Sequence, residues 1–150
     1  METEEDFVFE CILQPSILDE KLLNKSTKNE ETVTRAYNVL RELLVQLSAV
    51  TKAHIAVNAE GNAHDTGSLK KKAYIQLMAL RIASFLSWDI SELNDCPALQ
   101  LLLLETLLTV TDQTEASVEV DGKILLRDNP PGKKFAFMIY HRWVLRTLPL

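Results

Sequence analysis

Glycine and proline are scarce in this chain, with four and five residues among 150. A β-sandwich or barrel of this length turns many times and uses those residues at its turns, so such a fold is disfavoured. Cysteine occurs twice, as Cys11 and Cys96, far apart and without motif spacing. Both thiols read as small buried hydrophobes of a reducing compartment. Basic charge is short too: 16 Lys and Arg stand against 21 Asp and Glu, leaving a net charge of -5. That balance gives no footing for direct contact with nucleic acid. The tight cluster Lys70-Lys71-Lys72 reads as the solvated start of a helix. Long apolar runs are missing as well. The longest, around Leu101 to Leu104, is interrupted by Gln100 and Glu105 and is too short to span a bilayer. The opening METEED is acidic, so no secretory leader is expected, and Asn24-Lys25-Ser26 reads as a chance match to the glycosylation sequon.

Catalytic patterns are equally sparse. His54, His64 and His141 form no pair of zinc-ligand spacing with each other or with a cysteine, and no metal or cofactor is expected. The glycine-rich phosphate loops and the nucleophile elbow G-x-S-x-G do not occur. Asp89, after Trp88, stands at a helix start and reads as a cap rather than an acid. Cys11 or Cys96 with His141 would make a thiol–imidazole pair, provided the fold brings them together.

What is present is helical periodicity. FVFECIL, residues 7–13, is dense in apolar side chains. Pro15 then opens a second segment whose buried stripe is Ile17, Leu18 and Leu22 with Leu13. From about Glu30 to about His54, Val33, Ala36, Tyr37, Leu40, Leu43, Leu44, Leu47 and Val50 recur at spacings of three and four. Arg35, Asn38, Arg41, Glu42 and Gln46 occupy the opposite face. A polar link, mobile by expectation, covers about 55–68, with Ser68 the N-cap of the next helix. That helix turns apolar on nearly all sides after Ala73, as a central helix does. Asp89 and Glu92 resemble a capping box for a short helix carrying Ile90 and Leu93. Pro97 starts another helix, with Leu99, Leu102, Leu103, Leu107 and Val110 inward. Residues 111–134 read as a long loop with a small hairpin about Asp121-Gly122. Asn129-Pro130-Pro131-Gly132 then precedes a last helix, with Phe137, Tyr140, Val144 and Leu148 on one face beside Met138 and His141. Trp143 and Arg146 lie on another side. Tyr140, Arg142, Trp143 and Arg146 either form a recognition surface or divide into a core tryptophan and bridging arginines.

These elements predict an all-α chain: an irregular HEAT/TPR-like helical domain of antiparallel helices with two long surface loops. Contact, not catalysis, is the function that the chemistry suggests.

Two stretches are more specific. LMALRIASFLSWDISEL carries Trp88 and Asp89 in a Leu-x-Trp-Asp-apolar-x-x-Leu pattern, and MIYHRWVLRT carries Tyr140, Arg142, Trp143 and Arg146. In that order they resemble the N-terminal region of the Integrator complex subunit 8 family. VFECILQPSILDEKLL is similar to that family's opening. The resemblance implies one N-terminal helical domain over 1–150, the start of a longer helical-repeat protein, with position 150 an internal boundary and the last helix awaiting its neighbour. It also implies a non-enzymatic scaffold of the nuclear Integrator complex, which processes snRNA 3' ends and attenuates transcription. Partners would be other Integrator subunits and the scaffold and catalytic subunits of protein phosphatase 2A. The family's Trp-Phe-Glu-Phe motif for the phosphatase falls on Val8-Phe9-Glu10-Cys11. A shifted register instead places its phenylalanines on Phe7 and Phe9. Phe7, Val8, Phe9 and Glu10 are therefore the expected partner-binding residues, weakened by the loss of two aromatics, unless Phe7, Phe9 and Ile12 merely dock the segment on its own domain. An unrelated helical interaction module and a Cys–His thiol enzyme are the alternatives.

Overall fold

The structure, a computed structural model, describes residues 3–14, 16–23, 29–59, 66–111, 119–120, 123–124, 138–139 and 141–143. The described residues are all-α apart from one minimal hairpin. Helix α1 (Glu4–Leu13) begins on a capping box absent from the sequence expectations: the Asp6 N–H donates to Thr3 Oγ1 at 3.1 Å, and the Thr3 N–H donates to Asp6 Oδ2 at 3.3 Å. Two N–H groups that a helix start leaves orphaned are satisfied in this way. Helix α2 (Ser16–Leu18) continues directly into a π turn (Asp19–Leu23). Ile17, Leu18 and Leu22 are buried as the stripe predicts, but Leu13 is 84% exposed. Leu13 belongs to the end of α1, not to the segment after Pro15, and its direction is set by the α1 helix.

Helix α3 (Glu30–Ala59) and helix α4 (Thr66–Phe85) form the centre and pack against each other more extensively than any other pair. They run antiparallel, because Tyr37 and Arg41 near the start of α3 bond to Asp89 and Asp95, just past the end of α4. The α3 stripe holds: Ala36, Leu40, Leu43, Leu44 and Leu47 are buried, joined by Val39, with Val33, Tyr37 and Val50 packed at its edge. The helix outlasts its expected end at His54, since no Gly or Pro stands between Glu30 and Glu60 to stop it. Helix α4 starts earlier than expected, so Ser68 lies inside it rather than at its cap. Gly67 is tolerated there, because first-turn N–H groups need no helical partner. Both shifts shorten the expected link of 55–68, whose residues 60–65 lie outside the described set. Ile75, Leu77, Met78, Ala79, Leu80, Ile82 and Ala83 are all buried, as a central helix requires.

A single 3-10 turn, Ser91–Leu93, leads to helix α5 (Pro97–Thr111). Leu103 and Leu107 are fully buried, Leu99 and Leu102 partly so, and Thr106 lies between them with its hydroxyl donating to the Leu102 carbonyl at 2.8 Å. The side chain of Val110 is outside the described set. Strands β1 (Glu119–Val120) and β2 (Lys123–Ile124) pair antiparallel across Asp121-Gly122, with Glu119 opposite Ile124, as the turn dipeptide predicts. Residues 138–139 and 141–143 are again helical. No helix among the described residues is long and apolar enough to cross a membrane.

Side chains one residue apart on α3 give a test of this packing. Leu44 is fully buried and Val45 is 46% exposed. In urea denaturation, Leu44→Ala is expected to cost about 2–5 kcal/mol, and Val45→Ala under about 0.5 kcal/mol.

Candidate partner-binding site

Helix α1 has two unlike sides. Phe7, Val8 and Cys11 point inward and are 0%, 0% and 1% exposed. They seat the helix on α3, where the Arg35 guanidinium lies 4.6 Å over the centre of the Phe7 ring. Phe9 points the other way and is 42% exposed. Glu10 is half-buried and ion-paired with Lys21 of the π turn at 3.3 Å. The π turn is itself fastened to α4, because Asp19 and Arg81 form a two-pronged ion pair, with Nη1 to Oδ2 at 2.9 Å. Of the four residues expected to meet a partner, Phe7 and Val8 are therefore core. Phe9 presents its ring outward, and Glu10 braces the helix. Phe7 docks the segment on its own domain while Phe9 does not.

The Trp88-Asp89 pair makes a corner. Beyond α4, Ser87 and Trp88 have φ of 57° and 59°, both left-handed and neither a glycine. That conformation costs L-residues roughly 1–2 kcal/mol each. It lets the Trp88 N–H reach back to the Ala83 carbonyl at 2.8 Å, closing α4. The carbonyls turned out by this cap are then taken up by other elements. Trp143 Nε1 donates to the Trp88 carbonyl at 3.1 Å, and the Tyr37 hydroxyl donates to the Asp89 carbonyl. The Asp89 carboxylate accepts the Ser91 N–H at 3.2 Å, so it stabilises the turn without a capping box, and Ile90 stands at the N-cap of the 3-10 turn. The box fails because the element is one 3-10 turn, too short to offer Glu92 an N3 position; instead, the Glu92 carbonyl accepts Arg41 Nη2 at 2.9 Å. Leu86, Ile90 and Leu93 seal the corner from below.

On the last helical segment, Ile139 and Trp143 are buried while Met138, His141 and Arg142 are exposed. Trp143 is thus a core residue and not part of an Arg–Trp recognition surface. Met138 faces solvent rather than the packed face. Phe137, Tyr140, Val144, Arg146 and Leu148 lie outside the described residues. Cys11 is sealed in the core, so a substrate cannot reach its thiol, and Cys96 is half-buried just before Pro97. Among the described residues, no group of three His, Cys, Asp or Glu is placed to hold a metal ion.

Comparison with known proteins is consistent along nearly the whole chain. A family model described as Integrator complex subunit 8, TPR repeats, matches residues 6–149. Integrator complex subunit 8 of Mus musculus and of Homo sapiens are each 31% identical over 144 residues, 93% of this chain. The Xenopus laevis protein of that name is 27% identical over 135 residues, 88% of the chain. The chain spans 13% of the length of these relatives. No solved structure matches it significantly.

The corner makes two opposed predictions for chemical denaturation. Tyr37→Phe leaves the Asp89 carbonyl without its donor and is expected to lower stability by about 1–3 kcal/mol. Ser87→Gly relieves one left-handed side chain and is expected to raise stability by about 0.5–1 kcal/mol, after allowing for the looser unfolded chain.

Proposed function

This chain belongs to the Integrator complex subunit 8 family, and from that premise we propose that it is a non-enzymatic scaffold segment of the nuclear Integrator complex. It helps tether protein phosphatase 2A, through the scaffold and catalytic subunits, and it contacts other Integrator subunits. Its role lies in snRNA 3'-end processing and transcription attenuation. In the same reading, residues 1–150 form one helical domain of a longer helical-repeat protein and act without a cofactor, a membrane or direct contact with nucleic acid. The net charge of -5 suits protein partners better than phosphate backbones.

The observation that carries this reading is the outward ring of Phe9 on a helix otherwise locked to the core. Aromatic side chains at the centre of a contact supply much of its energy. In the ungapped register, the positions where this chain departs from the family's aromatic motif are Val8 and Cys11, and both face inward. Their smaller side chains therefore alter the seat of the helix and leave its outer face intact. The aromatic that remains is the one in solvent. The thiol-enzyme alternative has a sealed Cys11, and the alternative of an unrelated helical module gives way to the family match.

The test is retention of purified phosphatase scaffold and catalytic subunits on the immobilised chain, beside a Phe9→Ala variant of unchanged helicity and melting temperature. The wild type is expected to retain them and the variant to bind about tenfold more weakly or worse. Equal retention by both, or none by either, would overturn the proposal.

A further inference from the structure

Helix α3 holds the Trp88-Asp89 corner at two places. The Tyr37 hydroxyl donates to the Asp89 carbonyl. One turn further along α3, Arg41 donates through Nη2 to the Glu92 carbonyl at 2.9 Å and to Asp95 Oδ1 at 3.3 Å. Within the corner, the Trp88 N–H closes on the Ala83 carbonyl at 2.8 Å and the Asp89 N–H on the Leu86 carbonyl at 3.1 Å. Helices α3, α4 and α5 also pack against one another in all three pairings. These bonds lie within residues 37–95 and are complete without the last helical segment.

The dependence in the other direction is different. Trp143 Nε1 donates to the Trp88 carbonyl at 3.1 Å, and that carbonyl is turned out because Ser87 and Trp88 are left-handed. The indole therefore has its acceptor only once the corner is formed. Around this bond the segment has one side in and one side out. Ile139 and Trp143 are buried in the core cluster, while Met138, His141 and Arg142 face solvent. Helix α5 ends at Thr111, so the segment is an element of its own. If it lifts, water replaces the indole on the Trp88 carbonyl, and the bonds from Tyr37 and Arg41 remain.

We propose that the last helical segment is a reversible strap, which opens and recloses as a unit on a corner that α3 keeps formed, with the Trp143 indole as its catch. The opening is local, so α1 to α5 stay folded through it. The open state bares the Trp88 carbonyl and the apolar surface that Ile139 and Trp143 cover when the strap is closed.

The test is native-state hydrogen exchange on the 150-residue chain, read by NMR at the Trp143 indole N–H and at the amides of Leu40 to Leu47 in α3. After allowance for its intrinsic rate, the indole is expected to be protected at least about tenfold less than the α3 amides. Its rate is expected to stay flat through low urea concentrations, since a local opening exposes little new surface. Trp143→Ala is the second arm. This variant is expected to remain folded, with the left-handed backbone couplings of Ser87 and Trp88 unchanged and the Trp88 amide still protected. Equal protection and equal urea dependence at the indole and in α3 would overturn the proposal. Loss of the left-handed couplings, or of the fold, in Trp143→Ala would overturn it as well.

Discussion

What α1 presents depends on what it hides. A helix of ten residues is too short to hold its shape alone in water. Here, a capping box fixes its first turn, and complete burial of Phe7 and Val8 fixes the side that it turns to α3. Full burial of one such apolar side chain contributes about 1.5–3 kcal/mol, enough for two of them to decide the orientation of a single short helix. With that side fixed, the helical repeat leaves Phe9 and Leu13 no inward option. Arg35 over the Phe7 ring and Lys21 on Glu10 add to the same seat. The exposure of the outer stripe is thus a consequence of the core, and it does not need the outer residues to be stable where they are.

The Trp88-Asp89 corner plays the matching part at the other side of the pair α3 and α4. Two successive left-handed residues without a glycine persist only where the surroundings determine them. The surroundings here are Tyr37 from α3, Trp143 from the last helical segment and the buried trio Leu86, Ile90 and Leu93. Two sequence patches far apart, around Trp88 and around Trp143, are joined by the bond from the Trp143 indole to the Trp88 carbonyl. The family signature is in this respect a statement about how a helix ends and what covers the end. It concerns stability, and the outward aromatic side chain lies elsewhere, on α1.

Much of this was legible in the sequence where one force dominates. The stripe from Ala36 to Leu47 has a single period and a single buried side, and the structure follows it residue by residue. Asp121-Gly122 is a strong local hairpin signal, and residues 119–120 and 123–124 on either side of it pair antiparallel as that signal predicts. The resemblance around Trp88 and Trp143 pointed to the family that the comparisons establish. The misreadings fall where two patterns compete. Leu13 was assigned to the stripe after Pro15, but α1 ends only at Leu13 and carries it outward. Met138 belongs to a helix apolar on several sides, where the choice of buried face depends on what it meets; of the two readings open for Trp143, burial with its indole on the Trp88 carbonyl is the one found. Thr3-x-x-Asp6 has the form of a capping box, but with Asp in place of Glu or Gln its signal is weak beside the apolar run behind it. The bonds from Tyr37 and Arg41 to the corner join residues more than fifty positions apart and leave no local trace.

Helix α1 is a seated helix, ordered in the free chain, with its outward face set by its core face. Amide hydrogen exchange on the free chain tests that claim most directly. The N–H groups of residues 8–13 are expected to be protected to a degree comparable with those of Leu40 to Leu47 in α3, since opening α1 exposes Phe7 and Val8 to water. Exchange of those α1 amides at the rate of an unstructured peptide, while α3 stays protected, would contradict it and return Phe7, Val8 and Phe9 to equal standing.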